Sequence, residues 1–229
     1  MGDLRRAVVV ALLLCAASLF PSGSAFAQSS VAPQQILRDW YYLMNELVRH
    51  TPTYSPPVAS RAFGYLGVTA FEATVGGSDE LVSLVGQLHG FESVPQREQG
   101  AAYDDTVILN AAMSDAIVYY FGNTGPTGQR AIKTAQKKWR ARVVEGVSDE
   151  VVARSEAFGK AMAASIHAWS QDDGGAEVIN MGFPQEWTLA KGEDKWVPTS
   201  AIRQQQFPLL PEWGKKRTFV IPSGATCPT

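Results

Sequence analysis

From Pro57 to Val75 the sequence runs PVASRAFGYLGVTAFEATV, so small or apolar side chains would cover almost the whole circumference of a helix. A helix without a polar face has no side to turn toward water and is expected at the centre of a bundle. The rest of the chain must then supply helices to surround it. Its two charges, Arg61 and Glu72, fall with Tyr65 and Val68 on one stripe, three or four residues apart at each step. Burying either charge without a partner would be costly, so both are expected to meet polar groups on neighbouring helices. The stripe reads first as a pair of satisfied core charges and second as a polar site in the bundle interior.

The flanking sequence supplies the covering helices. In Gln34 to His50, Ile36, Trp40, Leu43, Met44 and Leu47 share one stripe, with Arg38, Asp39 and Glu46 off it. Thr51 to Pro57 breaks this helix, and Ser55-Pro56-Pro57 offers a capping residue and prolines for the next. Gly76-Gly77-Ser78 is a turn, and Asp79 to Leu88 is expected to form a short helix before a loop with Gly90, Pro95 and Gly100. Asp104 or Asp105 starts a helix to Phe121, with Val107, Ile108, Ala111, Ala112, Ala116, Val118 and Tyr119 mostly inward and Asn110, Ser114 and Asp115 interrupting them. Gly122 to Pro126 is a stop, and Pro126 or Thr127 opens a helix reaching Val144. Ser148-Asp149-Glu150 begins the last, which carries Val151, Phe158, Met162, Ile166 and Trp169 inward, pairs Glu156 with Lys160 and ends at Asp173-Gly174-Gly175.

The composition then changes. Four prolines and three glycines punctuate Gly182 to Gly214, among Trp187, Trp196 and Trp213, and no helical or strand period survives. So many aromatics argue for an ordered wrap rather than a disordered tail. The expected fold is all-α: a bundle of about five main helices over residues 28–175, then a Pro/Trp-rich irregular segment, 176–229, packed on it.

Residues 1–27 read as a signal peptide. Arg5 and Arg6 precede an apolar run from Ala7 to Phe20, and Ala25-Phe26-Ala27 fits a cleavage site after Ala27. The run falls short of the roughly 20 residues that a bilayer span needs. The mature protein is therefore expected to begin at Gln28, to be periplasmic or secreted, and to keep no integral membrane anchor. Cys15 leaves with the signal, so Cys227 has no internal disulfide partner; it reads as an exposed tail thiol, with intermolecular pairing as the alternative.

A net charge of −2, from 20 basic and 22 acidic residues, leaves no electrostatic footprint for nucleic acid or an anionic membrane. The densest basic stretch, Lys133 to Arg142, alternates with apolar residues at helical spacing and reads as a solvated face. His50, His89 and His167 have no companions at metal-ligand spacing, and surface or capping roles suit them. There is no Gly-x-Ser-x-Gly elbow, no phosphate-binding glycine loop and no cysteine nucleophile with a placed base.

The order of several short pieces resembles the amino-terminal half of bacterial vanadium-dependent haloperoxidase-like proteins of the phosphatidic acid phosphatase type 2 superfamily. The pieces are Trp40, Ser55 to Ala62, Phe71-Glu72-Ala73, Ile166 through Trp169 to Asp173-Gly174, Trp196 to Thr199, Pro208 to Gly214, and Arg217-Thr218-Phe219. The resemblance implies an all-helical fold and places catalysis in the following half. There a Lys with Arg-Pro, a Pro-Ser-Gly-His and a Ser-Arg with a later His would build a cradle for vanadate or phosphate. Such an oxyanion needs several cations on its equatorial oxygens and a histidine at its apical ones. This chain contains no Arg-Pro dipeptide. Pro222-Ser223-Gly224-Ala225 carries alanine where the histidine would stand, and alanine cannot move a proton. Lys215, Lys216 and Arg217 are three cations on one loop with no histidine near them in sequence.

The chain is accordingly expected to be the non-catalytic half of a truncated or split haloperoxidase or phosphatase, inactive alone. It would bind no cofactor itself, vanadate or phosphate being held only once a carboxy-terminal half is supplied. That half, or a second copy of the chain, is the expected partner. The competing reading is a stand-alone periplasmic binding or interaction module without enzymatic activity.

Overall fold

Asp104 is buried, and its carboxylate accepts the Val107 N–H at 2.9 Å and the Ser29 N–H at 2.6 Å. It thereby caps one helix and ties the segment around Ser29 to it. A computed structural model describes residues 28–176, 188–197, 199, 210–222 and 225. Among them are helices α1 (Pro33–His50), α2 (Pro56–Val75), α3 (Asp105–Phe121), α4 (Pro126–Val143) and α5 (Asp149–Gln171), with a single 3-10 turn at Trp213–Lys215. The described residues contain no strand, and the fold is an all-α bundle.

Proline occupies the first turn of α1, α2 and α4, where its fixed φ suits the helix and its missing N–H is no loss. Ser148 caps α5 by accepting the Val151 N–H. Ser55 does not cap α2 in this way: its hydroxyl is buried and makes no hydrogen bond. Pro56 and Pro57 have removed two of the four N–H groups that the first turn leaves unpaired, Pro57 among those a cap would bind.

The helix at the centre is α3 rather than α2. It packs against all four other helices, and twelve of its seventeen residues are buried, against ten of twenty in α2. The polar interruption that made α3 look less central is neutralised at Asn110, whose side-chain oxygen accepts Trp40 Nε1 from α1 at 3.2 Å. The α3–α5 contact is the most extensive of the bundle. A Cβ on Gly159 of α5 would overlap the Ile108 carbonyl oxygen and stand 2.9 Å from Ala111 Cβ, so only glycine lets the two backbones approach this far.

The short helix expected at Asp79 to Leu88 is absent; residues 81–84 are irregular and turns follow. Two interactions compete with helix formation there. Glu72, buried on α2, accepts the Leu84 N–H at 2.6 Å and the Ser83 hydroxyl at 2.9 Å, and Gly86 takes a φ of 74° that no helix allows. The expected Glu156–Lys160 pair is replaced as well, since Glu156 reaches across to Arg140 of α4, with Nε 2.6 Å from Oε1. No helix among the described residues is long and apolar enough to cross a membrane.

Candidate functional site

Arg61 and Glu72 lie eleven residues apart on α2, about 16 Å along its axis at 1.5 Å per residue. They do not build one site. Glu72 holds the irregular segment at 83–84, a loop rather than a neighbouring helix.

Arg61 organises the other end of α2. Its guanidinium pairs with Asp173, just beyond α5, donates from Nε to the Tyr65 hydroxyl at 2.8 Å, and donates to the Arg217 carbonyl at 2.6 Å. The Asp173 side chain is fully enclosed; it also receives the Tyr65 hydroxyl and the Gly175 N–H, the latter at 2.6 Å. Burial alone would lower the pKa of Arg61, but its hydrogen bonds to Tyr65 and Asp173 outweigh that and raise it. Burial pushes the Tyr65 hydroxyl well above its ordinary value, and the Asp173 charge pushes the same way. Both groups are thus moved away from neutral pH, and the cluster suits anchoring rather than proton transfer.

What it anchors is the segment 213–221. Phe219 lies under the Arg61 guanidinium, 4.5 Å from its carbon to the ring centroid, and touches Tyr65 and Trp169. Gly64 makes the space, because a Cβ there would stand 2.7 Å from the Phe219 ring. The Phe219 carbonyl accepts the His89 N–H at 2.8 Å, and His89 Nδ1 lies 3.1 Å from the Thr218 carbonyl. Arg217 turns inward to donate to the Trp169 carbonyl at 2.6 Å, while Lys215 pairs with Glu212 on the surface. Lys215 and Arg217 therefore diverge. An open cleft of about 350 Å³ remains beside this segment, lined by Pro57, Ser60, Arg61, Trp213, Phe219 and Ile221 among others.

Each histidine has its own surroundings. His50 ends α1 exposed beside Glu46, His89 binds the 218–219 segment, and the His167 ring stacks on Tyr119 with centroids 4.1 Å apart. Among the described residues no group of three or more His, Cys, Asp or Glu has metal-binding geometry. Ala27 and Cys227 lie outside the described residues, as do Trp187, Ser223 and Gly224.

Asp173, expected as the end of a helix and within one of the family-like pieces, was not expected as the partner of Arg61. The Asp-Gly-Gly run was the available signal, because an aspartate at a helix end followed by glycines readily binds its own backbone.

No protein-family profile matches the chain, and no curated protein sequence does. Among solved structures, the crystal structure of a bacterial vanadium-dependent iodoperoxidase superposes with a TM-score of 0.65 at 22% identity, covering 86% of this chain and 45% of that one. The chain thus has a vanadium haloperoxidase-like fold and spans less than half the length of the solved structure that it matches.

Proposed function

We infer that this chain is the exported helical scaffold of a vanadium haloperoxidase or acid phosphatase-like protein, and that it does not catalyse alone. The observation that supports this most is the fold likeness over 86% of the chain to a protein of more than twice the matched length. The sequence agrees, holding neither Arg-Pro nor Pro-Ser-Gly-His. The most elaborate polar cluster agrees too: the Arg61 charge is already matched by Asp173, so the cluster offers no set of free cations to a vanadate or phosphate.

In this reading a second polypeptide, bearing the Lys with Arg-Pro, the Pro-Ser-Gly-His and the Ser-Arg with its later histidine, supplies the cradle and binds the oxyanion. Arg5, Arg6 and the apolar run to Phe20 direct export, with cleavage after Ala27 and a periplasmic or secreted product.

Iodide and bromide oxidation with peroxide, and hydrolysis of a phosphate ester, are to be measured with and without vanadate. The mature chain is expected to give no turnover above background. Co-expressed with a polypeptide carrying the three missing elements, it is expected to co-elute with it and to gain vanadate-dependent activity. Turnover by the chain alone, or failure to associate with that polypeptide, refutes this reading.

A further inference from the structure

On α4, Lys133, Gln136, Lys137 and Arg140 recur at helical spacing and share one face. That face is exposed to solvent at Lys133, Lys137 and Arg140. It forms one wall of a cleft of about 370 Å³, floored by Asn110, Ala111, Ser114 and Asp115 of α3 and walled on the far side by Glu156 and Lys160 of α5. The Arg140–Glu156 ion pair joins α4 to α5 at the cleft, with Arg140 Nη2 a further 3.3 Å from Glu156 Oε2.

The charges do not balance. Four cations face two carboxylates, and Arg140 and Glu156 are committed to each other. Among the described residues, Lys133, Lys137 and Lys160 have no carboxylate within ion-pair distance. The floor adds one buried donor. Asn110 is 96% buried, and its oxygen is taken by Trp40, which leaves the amide to act as a donor. The Ser114 carbonyl is occupied by Gln136 Nε2 at 3.1 Å. Asp115 is a half-buried carboxylate on α3, with no hydrogen bond among the described residues. Burial raises its pKa and the Lys160 charge opposes that, so the group is partly desolvated and its only identified electrostatic counterpart is across the cleft.

We propose that this three-helix cleft binds a phosphate group, its charge met by Lys133, Lys137 and Lys160 and a proton or hydroxyl of the ligand donated to Asp115. The chemistry selects that class. Three ammonium groups favour a multiply charged oxyanion over a monoanion. A carboxylate among them repels any anion that brings only acceptors, and it welcomes one that brings a donor. Hydrogen phosphate carries such a proton at neutral pH, and a phosphate ester of a polyol carries hydroxyls; sulfate carries neither. The cleft involves none of the residues that anchor the 213–221 segment, and the proposal does not depend on the enzymatic reading above.

Isothermal calorimetry on the mature chain in phosphate-free buffer, at fixed ionic strength, tests it with inorganic phosphate, glycerol phosphate and sulfate. Saturable one-site binding is expected for the phosphates, with sulfate at least fivefold weaker. Tighter binding of glycerol phosphate than of phosphate assigns the ester as ligand, and the reverse assigns the free ion. The double variant Lys137→Gln/Lys160→Gln should weaken binding at least tenfold while its thermal unfolding stays unchanged, since both side chains are exposed. Asp115→Asn should bring sulfate level with phosphate. The proposal is overturned by any of three results: no saturable binding of either phosphate, binding insensitive to the double lysine variant, or equal affinity for phosphate and sulfate in the unaltered chain.

Discussion

Trp40 and Asn110 satisfy each other across the α1–α3 contact, the indole Nε1 donating to the amide oxygen at 3.2 Å with the indole fully buried. The same indole meets Trp139 of α4 edge-on, ring centroids 4.4 Å apart, so one side chain ties α1 to both α3 and α4. Trp40→Phe keeps an aromatic ring but leaves the amide oxygen buried and unpaired, which costs about 2 kcal/mol. Urea denaturation should show that loss, and Asn110→Leu in the same background should recover part of it by removing the orphaned group. A Trp40→Phe variant as stable as the parent would show that the bond contributes nothing net.

Arg61→Ala removes the cation facing the fully enclosed Asp173 carboxylate, which then keeps only the Tyr65 hydroxyl and the Gly175 N–H. Breaking a buried pair in this way costs about 3 kcal/mol. Release of Phe219 should accompany it, because the guanidinium also covers that ring and binds the Arg217 carbonyl. Hydrogen exchange at the His89 amide, which bonds the Phe219 carbonyl, reports the release directly. Exchange as slow as in the parent would contradict the anchoring role.

Two glycine substitutions should differ in kind. Gly159→Ala drives a methyl into the Ile108 carbonyl of α3, and neither rigid helix can yield locally, so a loss of about 3 kcal/mol is expected. Gly64→Ala meets only the Phe219 ring, a side chain on a segment that can lift away, so about 1 kcal/mol is expected. Thermal unfolding of the two variants settles the order, and equal losses would refute it.

His167 lies against Tyr119, and burial lowers its pKa below the usual 6.5. The unfolded chain therefore binds this proton at a higher pH than the folded chain does. Its stabilising contribution is present above pH 6.5 and is lost as the pH falls below that value through the folded pKa. His167→Gln, which keeps a neutral polar side chain on the same ring, should flatten that part of the stability–pH curve between pH 7.5 and 5. Parallel curves for parent and variant would exclude the effect.

The five helices were legible before any coordinates because each follows from local chemistry. Apolar stripes recur at helical spacing, Ser148 and Asp104 stand where caps belong, and prolines and glycines mark the starts and stops. The likeness to a haloperoxidase half was legible too, from the order of short pieces rather than from any one of them. Which helix lies at the centre was not. Both α2 and α3 are largely apolar, and burial of the polar Asn110 on α3 is made possible by Trp40, seventy residues away in the chain, which satisfies it. The same holds for Arg61 with Asp173, for Glu72 with the 83–84 segment, and for the exchange of Lys160 for Arg140 beside Glu156. Charge partners depend on which side chains the packed helices bring within a few ångströms, and spacing along one helix predicts only the neighbours on that helix.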